Sequence, residues 1–141
     1  MQEEVGAKEK AAKEKYLKDQ IAIINKDYPN AKQDSNGIYY IVEKEGSGDK
    51  TGKKKKVSTN YTGKFLSGEI FDSSIGREPL DFVTGAGQMI PGFDLMVQDM
   101  CVGEKLTVIL PPEYGYGEQG YPGVIPGNAY LIFEIELISA K

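Results

Sequence analysis

The sequence predicts an α+β domain, an antiparallel sheet with one short helix across it, preceded by a charged helical extension. Three observations carry this. Apolar residues alternate at period two in several short runs between Asn36 and Lys141. One segment, Phe93, Met96, Val97 and Met100, instead repeats at i, i+3, i+4, i+7, the spacing of a helix face. Composition also shifts near Asn36: residues 1–35 hold one Gly, one Pro, seven Lys and seven acidic residues, whereas residues 36–141 hold sixteen Gly and six Pro. The expected organisation is a helical extension over 1–35 and a second unit over 36–141.

In the extension, Glu4/Lys8, Glu9/Lys13 and Glu14/Lys18 are i,i+4 pairs with the acid on the N-terminal side. Each such pair adds about 0.2–0.5 kcal/mol to an isolated helix, and the good helix formers Ala and Lys fill the gaps. Leu17, Ile21 and Ile24 make a short apolar stripe. Tyr28-Pro29-Asn30 ends the helix, because the residue before Pro disfavours the α region. Two readings stand side by side: a solvated, partly frayed helix, or one whose stripe docks on a partner chain or on the second unit.

In the second unit, Ile38 to Val42 reads as a strand ended by Glu45-Gly46-Ser47-Gly48. Lys56 to Thr62 reads as another, with Val57, Thr59 and Tyr61 on one face. Leu80 and Phe82 alternate around Asp81. Leu106, Val108 and Leu110 alternate ahead of Pro111-Pro112. The last strand, Ala129 to Ser139, puts Leu131, Phe133, Ile135 and Leu137 on one face and Glu134 and Glu136 on the other. The helix through Phe93 ends at Gly103.

Composition excludes several functions. The net charge is −4, with no basic excess to track a nucleic-acid backbone. The lone Cys101 makes no internal disulfide and reads as a buried structural thiol. With no His, triad hydrolases, zinc proteases and haem proteins of the usual design fall away. No metal or cofactor is expected. Met1-Gln2-Glu3-Glu4 carries neither the basic nor the apolar region of a signal peptide, and no run is long enough to span a membrane; no compartment follows from this. Two motifs mislead. Gly115-Tyr116-Gly117-Glu118-Gln119-Gly120 spells a dinucleotide fingerprint, but Pro111-Pro112 parts it from its strand and Pro122 and Pro126 forbid the helix it needs. Asn60-Tyr61-Thr62 spells a glycosylation sequon inside an expected strand. The run Lys53 to Lys56 reads as a solvated hairpin loop.

Tyr61, Phe71, Phe82, Met89, Ile90, Phe93, Tyr116, Tyr121, Ile125 and Phe133 place aromatic and aliphatic bulk among turn residues, which reads either as a concave apolar pocket with few polar groups or as an ordinary small core with tyrosines at its edge. A series of stretches stands in a recognisable order: Tyr61-Thr62-Gly63, Gly68-x-x-Phe71-Asp72-Ser73-Ser74, Gln88-Met89-Ile90-Pro91-Gly92, Met100-x-Val102-Gly103-Glu104, Pro112-Glu113-Tyr114-Gly115-Tyr116-Gly117, Gly120-Tyr121-Pro122-Gly123-Val124-Ile125-Pro126 and Leu131 to Leu137. In order and spacing, over roughly Ile38 to Ala140, the chain resembles the FKBP-type peptidyl-prolyl isomerases. The resemblance implies a five- to six-strand, strongly twisted antiparallel sheet wrapped around one short helix, with a pocket between helix and sheet. It implies isomerisation of X–Pro bonds, with Asp72, Tyr116, Phe82, Phe133 and Tyr61 as catalytic residues. Phe71, Arg77, Met89, Ile90, Phe93, Tyr121 and Ile125 would bind substrate or inhibitor. Implied partners are proline-containing peptides, unfolded client proteins and the macrolides FK506 and rapamycin. Some bacterial members carry a helical N-terminal extension that dimerises them or holds clients, so a dimer through this helix is a further expectation.

Departures from the family pattern are Phe93 where the pocket floor is usually Trp, Leu80 where an aromatic is frequent, and Tyr121 where several members have His. The Phe71–Pro79 loop is also one residue shorter than in the common short members. A weakly active or inactive chaperone or binding module of the same fold is the alternative.

Overall fold

The computed structural model describes the backbone from Gln2 to Lys141 and the side chains from Glu9 onward. Helix α1 spans Gln2–Asp27 and stops one residue before the Tyr28-Pro29 step that forbids its continuation. Strands follow: β1 Lys32–Gln33, β2 Tyr39–Lys44, β3 Lys56–Phe65, β4 Ile70–Ser73 and β5 Leu80–Val83. The short helix α2 covers Pro91–Gln98, then come β6 Lys105–Leu110 and β7 Leu131–Ala140. They form one seven-stranded sheet in the order β1-β2-β6-β7-β3-β4, with β5 also paired to β3. Every pairing is antiparallel. Two of these strands go beyond the five that alternation marks in the sequence: β1 falls inside the 1–35 extension, and β4 inside what reads as a loop.

The longest pairing joins β3 to β7, from Val57 opposite Ala140 to Phe65 opposite Leu131. The other edge of β3 is shared. Lys56–Thr59 pairs with β5, and Thr62–Lys64 pairs with β4. Between them, Asn60 and Tyr61 have no ladder partner on that side, and the chain from Ser74 to Pro79 loops out there. This break in pairing places the site.

The expected alternation is obeyed on the inner face. Val57, Phe82, Leu106, Val108, Leu131, Phe133, Ile135 and Leu137 pack with Phe93, Met96, Val97 and Met100 in one core cluster. Pro91 opens α2 at its first turn, where the missing N–H costs nothing. The buried Asp94 carboxylate ties α2 to the preceding loop: it accepts the Gly85 N–H at 2.9 Å and the Gln98 Nε2 at 3.0 Å.

The outer face was not expected to be greasy, yet Ile109 and Ile132 lie buried there. They pack with Ile24 and Tyr130 against the partly buried Leu17, Ile21, Tyr28 and Tyr39. The stripe of α1 therefore docks on the chain's own sheet, so the molecule has helices on both faces. Of the expected intrahelical pairs, Glu4/Lys8 lies outside the described residues. Neither Glu9/Lys13 nor Glu14/Lys18 is closed among the described residues; Lys13 reaches Glu118 instead, and Lys15 pairs with Asp19 at 2.9 Å. Cys101 is half-buried rather than buried. Among the described residues no helix is long and apolar enough to cross a membrane.

Candidate active site

The site is built on the interruption of β3. Tyr61 emerges where β5 gives way to β4, and its hydroxyl donates to Asp72 Oδ2 at 2.5 Å. Asp72 is fixed from two further sides, by Arg77 Nη2 at 2.9 Å and by the Ser73 N–H at 2.9 Å. Arg77 in turn donates from Nε to the Ser73 carbonyl at 3.0 Å, which folds the guanidinium back over its own loop. Ser74, buried, anchors that loop to β3: its Oγ accepts the Tyr61 N–H at 2.9 Å and its own N–H donates to the Tyr61 carbonyl at 2.9 Å. Tyr61, Asp72, Arg77, Pro79 and Leu80 wall an open groove of about 470 Å³.

Behind the groove lies a dry aromatic floor. Phe93, projected from α2 and 0% exposed, is met edge-on by Tyr61 at 5.8 Å, Phe82 at 5.8 Å and Phe133 at 5.5 Å between ring centres. Phe71 stands edge-on to Phe133 at 5.7 Å. Edge-to-face contacts at such distances are favourable beyond simple burial. Gly63 makes the arrangement possible: a Cβ there would lie 2.7 Å from Phe71 Cζ and 3.0 Å from Phe133 Cε1. Met89, Ile90 and Tyr116 are half-buried at the edge of the same cluster, and Ile125 is buried in it.

Two donors stand at the rim. Ile90, with φ −57° and ψ 144°, precedes the first turn of α2, and no acceptor takes its N–H among the described residues. The run-up to it is fixed because Gln88 Oε1 accepts the Val83 N–H at 2.9 Å. The Tyr116 hydroxyl is likewise without a partner among the described residues, and its ring meets that of Tyr121 at 5.9 Å. The loop bearing both tyrosines is closed by Tyr121 and Ile125, which exchange N–H···O bonds of 2.8 Å. Gly120, at φ +64°, permits the turn; a Cβ there would sit 2.2 Å from the Ile125 carbonyl oxygen.

The electrostatics follow from burial and the hydrogen bonds. Burial alone would raise the Asp72 pKa, but the bonds from Tyr61, Arg77 and the Ser73 N–H outweigh it and hold the carboxyl below its ordinary value. Burial first, and then the bond to Asp72, push the Tyr61 hydroxyl up to about 12. Burial, and then the Asp72 charge, raise Tyr116 as well. At neutral pH Asp72 is ionised and both hydroxyls keep their protons.

The structure joins all twelve residues singled out in the sequence. Nine of them, Tyr61, Phe71, Phe82, Met89, Ile90, Phe93, Tyr116, Ile125 and Phe133, belong to one core cluster and its edge. Asp72 and Arg77 attach through Tyr61, and Tyr121, 54% exposed, attaches through Tyr116. Depth differs from expectation. Phe82 and Phe133 lie beneath the accessible surface with Phe93, while Leu80 reaches the groove wall. Leu80 could have been found from its alternation with Phe82, since both belong to the same face of β5. Ser74 carries no signal of its own beyond its place after Phe71-Asp72.

Fold and site together define a small sheet-and-helix domain with a buried ring cluster, an open groove beside it and one clamped carboxylate at the groove's lip. The family description "FKBP-type peptidyl-prolyl cis-trans isomerase" matches residues 48–138, and the chain belongs to that family. It is 48% identical over 103 residues to FK506-binding protein 2 of Dictyostelium discoideum, covering 72% of this chain and 76% of that protein. It is 55% identical over 94 residues to FK506-binding protein 2 of Aspergillus fumigatus, covering 65% of this chain and 69% of that one. The crystal structure of AtFKBP13 superposes with a TM-score of 0.75 at 31% identity, covering 79% of this chain and 99% of its own. The protein is a peptidyl-prolyl cis-trans isomerase, and an inactive binding module of the same fold is not the reading these relatives favour.

Proposed function

We propose that isomerisation takes place over the Phe93 floor, between the Asp72 groove and the loop of Tyr116. Rotation about X–Pro is resisted by amide resonance, a barrier of about 18–20 kcal/mol. Water bonded to the amide oxygen favours the planar, charge-separated form. An apolar cleft withdraws that water and favours the twisted amide, in which conjugation is lost. The prolyl ring suits such a cleft because it is compact and has no N–H to leave unsatisfied.

In this reading the Ile90 N–H donates to one substrate carbonyl and fixes register, and the Tyr116 hydroxyl donates to another. Asp72, held by Tyr61 and Arg77, sets a fixed negative field beside the twisted bond. Phe71, Met89, Tyr121 and Ile125 border the peptide, while Phe82 and Phe133 support the floor from below. The observation that supports this best is the clamped Asp72 at the lip of an open groove, directly beside a dry ring cluster.

The substrates are proline-containing segments, including those of unfolded client chains, and macrolides of the FK506 type compete for the same cleft. The isomerase unit is residues 36–141, and residues 1–35 are an extension on its back, although β1 already joins the sheet. A dimer through Leu17, Ile21 and Ile24 would have to pull that stripe off the sheet, so the helix is read as intramolecular. A protease-free assay on an X–Pro peptide tests the function: the intact chain accelerates relaxation and FK506 abolishes the effect. Acceleration that persists with saturating FK506, or that survives Tyr116→Phe and Asp72→Ala together, refutes this placement.

A further inference from the structure

Outside the cleft, the buried polar side chain of Gln20 has no part in the chemistry described so far. Gln20 lies on the α1 face that carries Leu17, Ile21 and Ile24, and it is 5% exposed. Both ends of its amide go to the backbone of a single short segment: Nε2 donates to the Asn128 carbonyl at 2.9 Å, and Oε1 accepts the Tyr130 N–H at 2.7 Å. Asn128 is left-handed, with φ 61°, a conformation that costs a residue other than Gly and persists only where its surroundings hold it. Its N–H donates to the Gly117 carbonyl at 2.9 Å, and Gly117 directly follows Tyr116. At Gly127 a Cβ would sit 2.1 Å from the Glu118 carbonyl oxygen, so the two arms of the loop are pressed backbone to backbone.

Seven residues before Gln20 on the same helix, Lys13 forms an ion pair with Glu118. Helix α1 therefore grips both arms of one loop: Glu118 as the chain leaves Tyr116, and Asn128 and Tyr130 as it returns from Ile125. Leu17 faces the same loop across a cavity of about 230 Å³ walled by Pro112 and Asn128.

We infer that α1 positions the cleft's tyrosine loop, with Gln20 as the positioning residue and Lys13 as a weaker second contact. The extension outside the family match thereby sets how tightly the cleft holds its peptide. The inference rests on the placement of the cleft given above. Freed from Gln20, the buried Tyr130 N–H and the part-buried Asn128 carbonyl are left unpaired unless water enters or the segment moves. Movement of the segment carries Gly117 with it through the Asn128 N–H bond, and with Gly117 the Tyr116 hydroxyl. Misplacement of a substrate contact by an ångström is enough to alter turnover many-fold.

The test uses the full chain with Gln20→Ala and Tyr116→Phe, singly and together, and measures kcat and KM on an X–Pro peptide alongside urea unfolding. Gln20→Ala should raise KM by about threefold to tenfold with kcat changed less than about twofold. The double variant should lose less than the product of the two single losses. Amide exchange at Tyr130 should quicken in Gln20→Ala. A folded Gln20→Ala protein with parental KM and only a lowered urea midpoint overturns the inference. Should Gln20→Ala fail to fold, Lys13→Met decides in its place: a smaller KM rise supports the grip, and a parental KM refutes it. A Tyr116→Phe protein with parental kinetics would count against the cleft placement instead, and KM of Gln20→Ala alone would then judge the helix.

Discussion

Asp72 concentrates the chemistry of the cleft in one side chain. It accepts from Tyr61, Arg77 and the Ser73 N–H, and these bonds hold its carboxyl below the usual value despite some burial. Tyr61 is pushed up to about 12, and Tyr116 is raised too. No step of the rotation asks any of them to exchange a proton. The rate should therefore be flat from about pH 5 to pH 9, between the ordinary carboxylate and phenol ranges. It should fall in acid only when Asp72 itself protonates. Asp72→Asn should remove that acid limb and lower kcat/KM by about tenfold, or about 1.4 kcal/mol of differential binding. A bell centred near neutrality in the pH–rate profile would contradict the mechanism. Stability follows the same groups with opposite signs. The depressed Asp72 contributes above its unfolded value of 3.8, and that contribution fades as pH falls through the lower folded value. The raised Tyr61 contributes below 10.0 and loses its share as pH climbs toward about 12.

Helix α1 shows how far an element's role can be read from its own residues. The stripe of Leu17, Ile21 and Ile24 announces a docking face, and the structure supplies the partner, the outer side of β6 and β7 through Ile109 and Ile132. Ile24 is 0% exposed at the centre of that contact. Ile24→Ala should cost about 2–5 kcal/mol, the range for truncating a buried aliphatic, read as a lower urea midpoint at unchanged slope. Loss of less than about 0.5 kcal/mol, as at a solvated surface position, would mean the helix is not docked in solution. Gln20 was illegible for a physical reason. A polar residue inside an apolar stripe looks like a solvated one, because its partners are backbone groups 108 and 110 residues away. The Glu9/Lys13 pair failed similarly, since a tertiary acid, Glu118, outcompetes a helical neighbour. The period-two strands were legible because burial on one face imposes alternation over many residues. The two-residue β1 is too short to show a period. The turn before β2 rests on the Asp34 carboxylate, which accepts the Asn36 and Ile38 N–H groups at 2.9 and 3.0 Å.

At the scale of the whole molecule, the sheet is a wall with different business on each side. Its inner face and α2 enclose the aromatic floor, and the break between β4 and β5 along β3 opens the groove. Its outer face would be an apolar surface were α1 absent, because Tyr39, Leu66, Ile109, Tyr130 and Ile132 all gather beneath the helix. The rings of Phe71, Tyr116 and Tyr121 were legible in the sequence because they sit beside turn motifs of fixed spacing, and those of Tyr61, Phe82 and Phe133 because they alternate within strands β3, β5 and β7. Their depth was not, since which of Leu80 and Phe82 reaches water depends on where β3 changes partner. This layering makes a prediction about assembly. A helix already covered by its own sheet has no stripe left for a second chain, so the full chain should sediment at the mass of one copy. Removing residues 2–27 should bare the outer face, and exposed patches of that kind drive association. The truncated chain should thus self-associate or lose stability while keeping its cleft residues. A full-length dimer that dissociates on removal of α1 would reverse the argument, because it would place Leu17, Ile21 and Ile24 between copies rather than against Ile109 and Ile132.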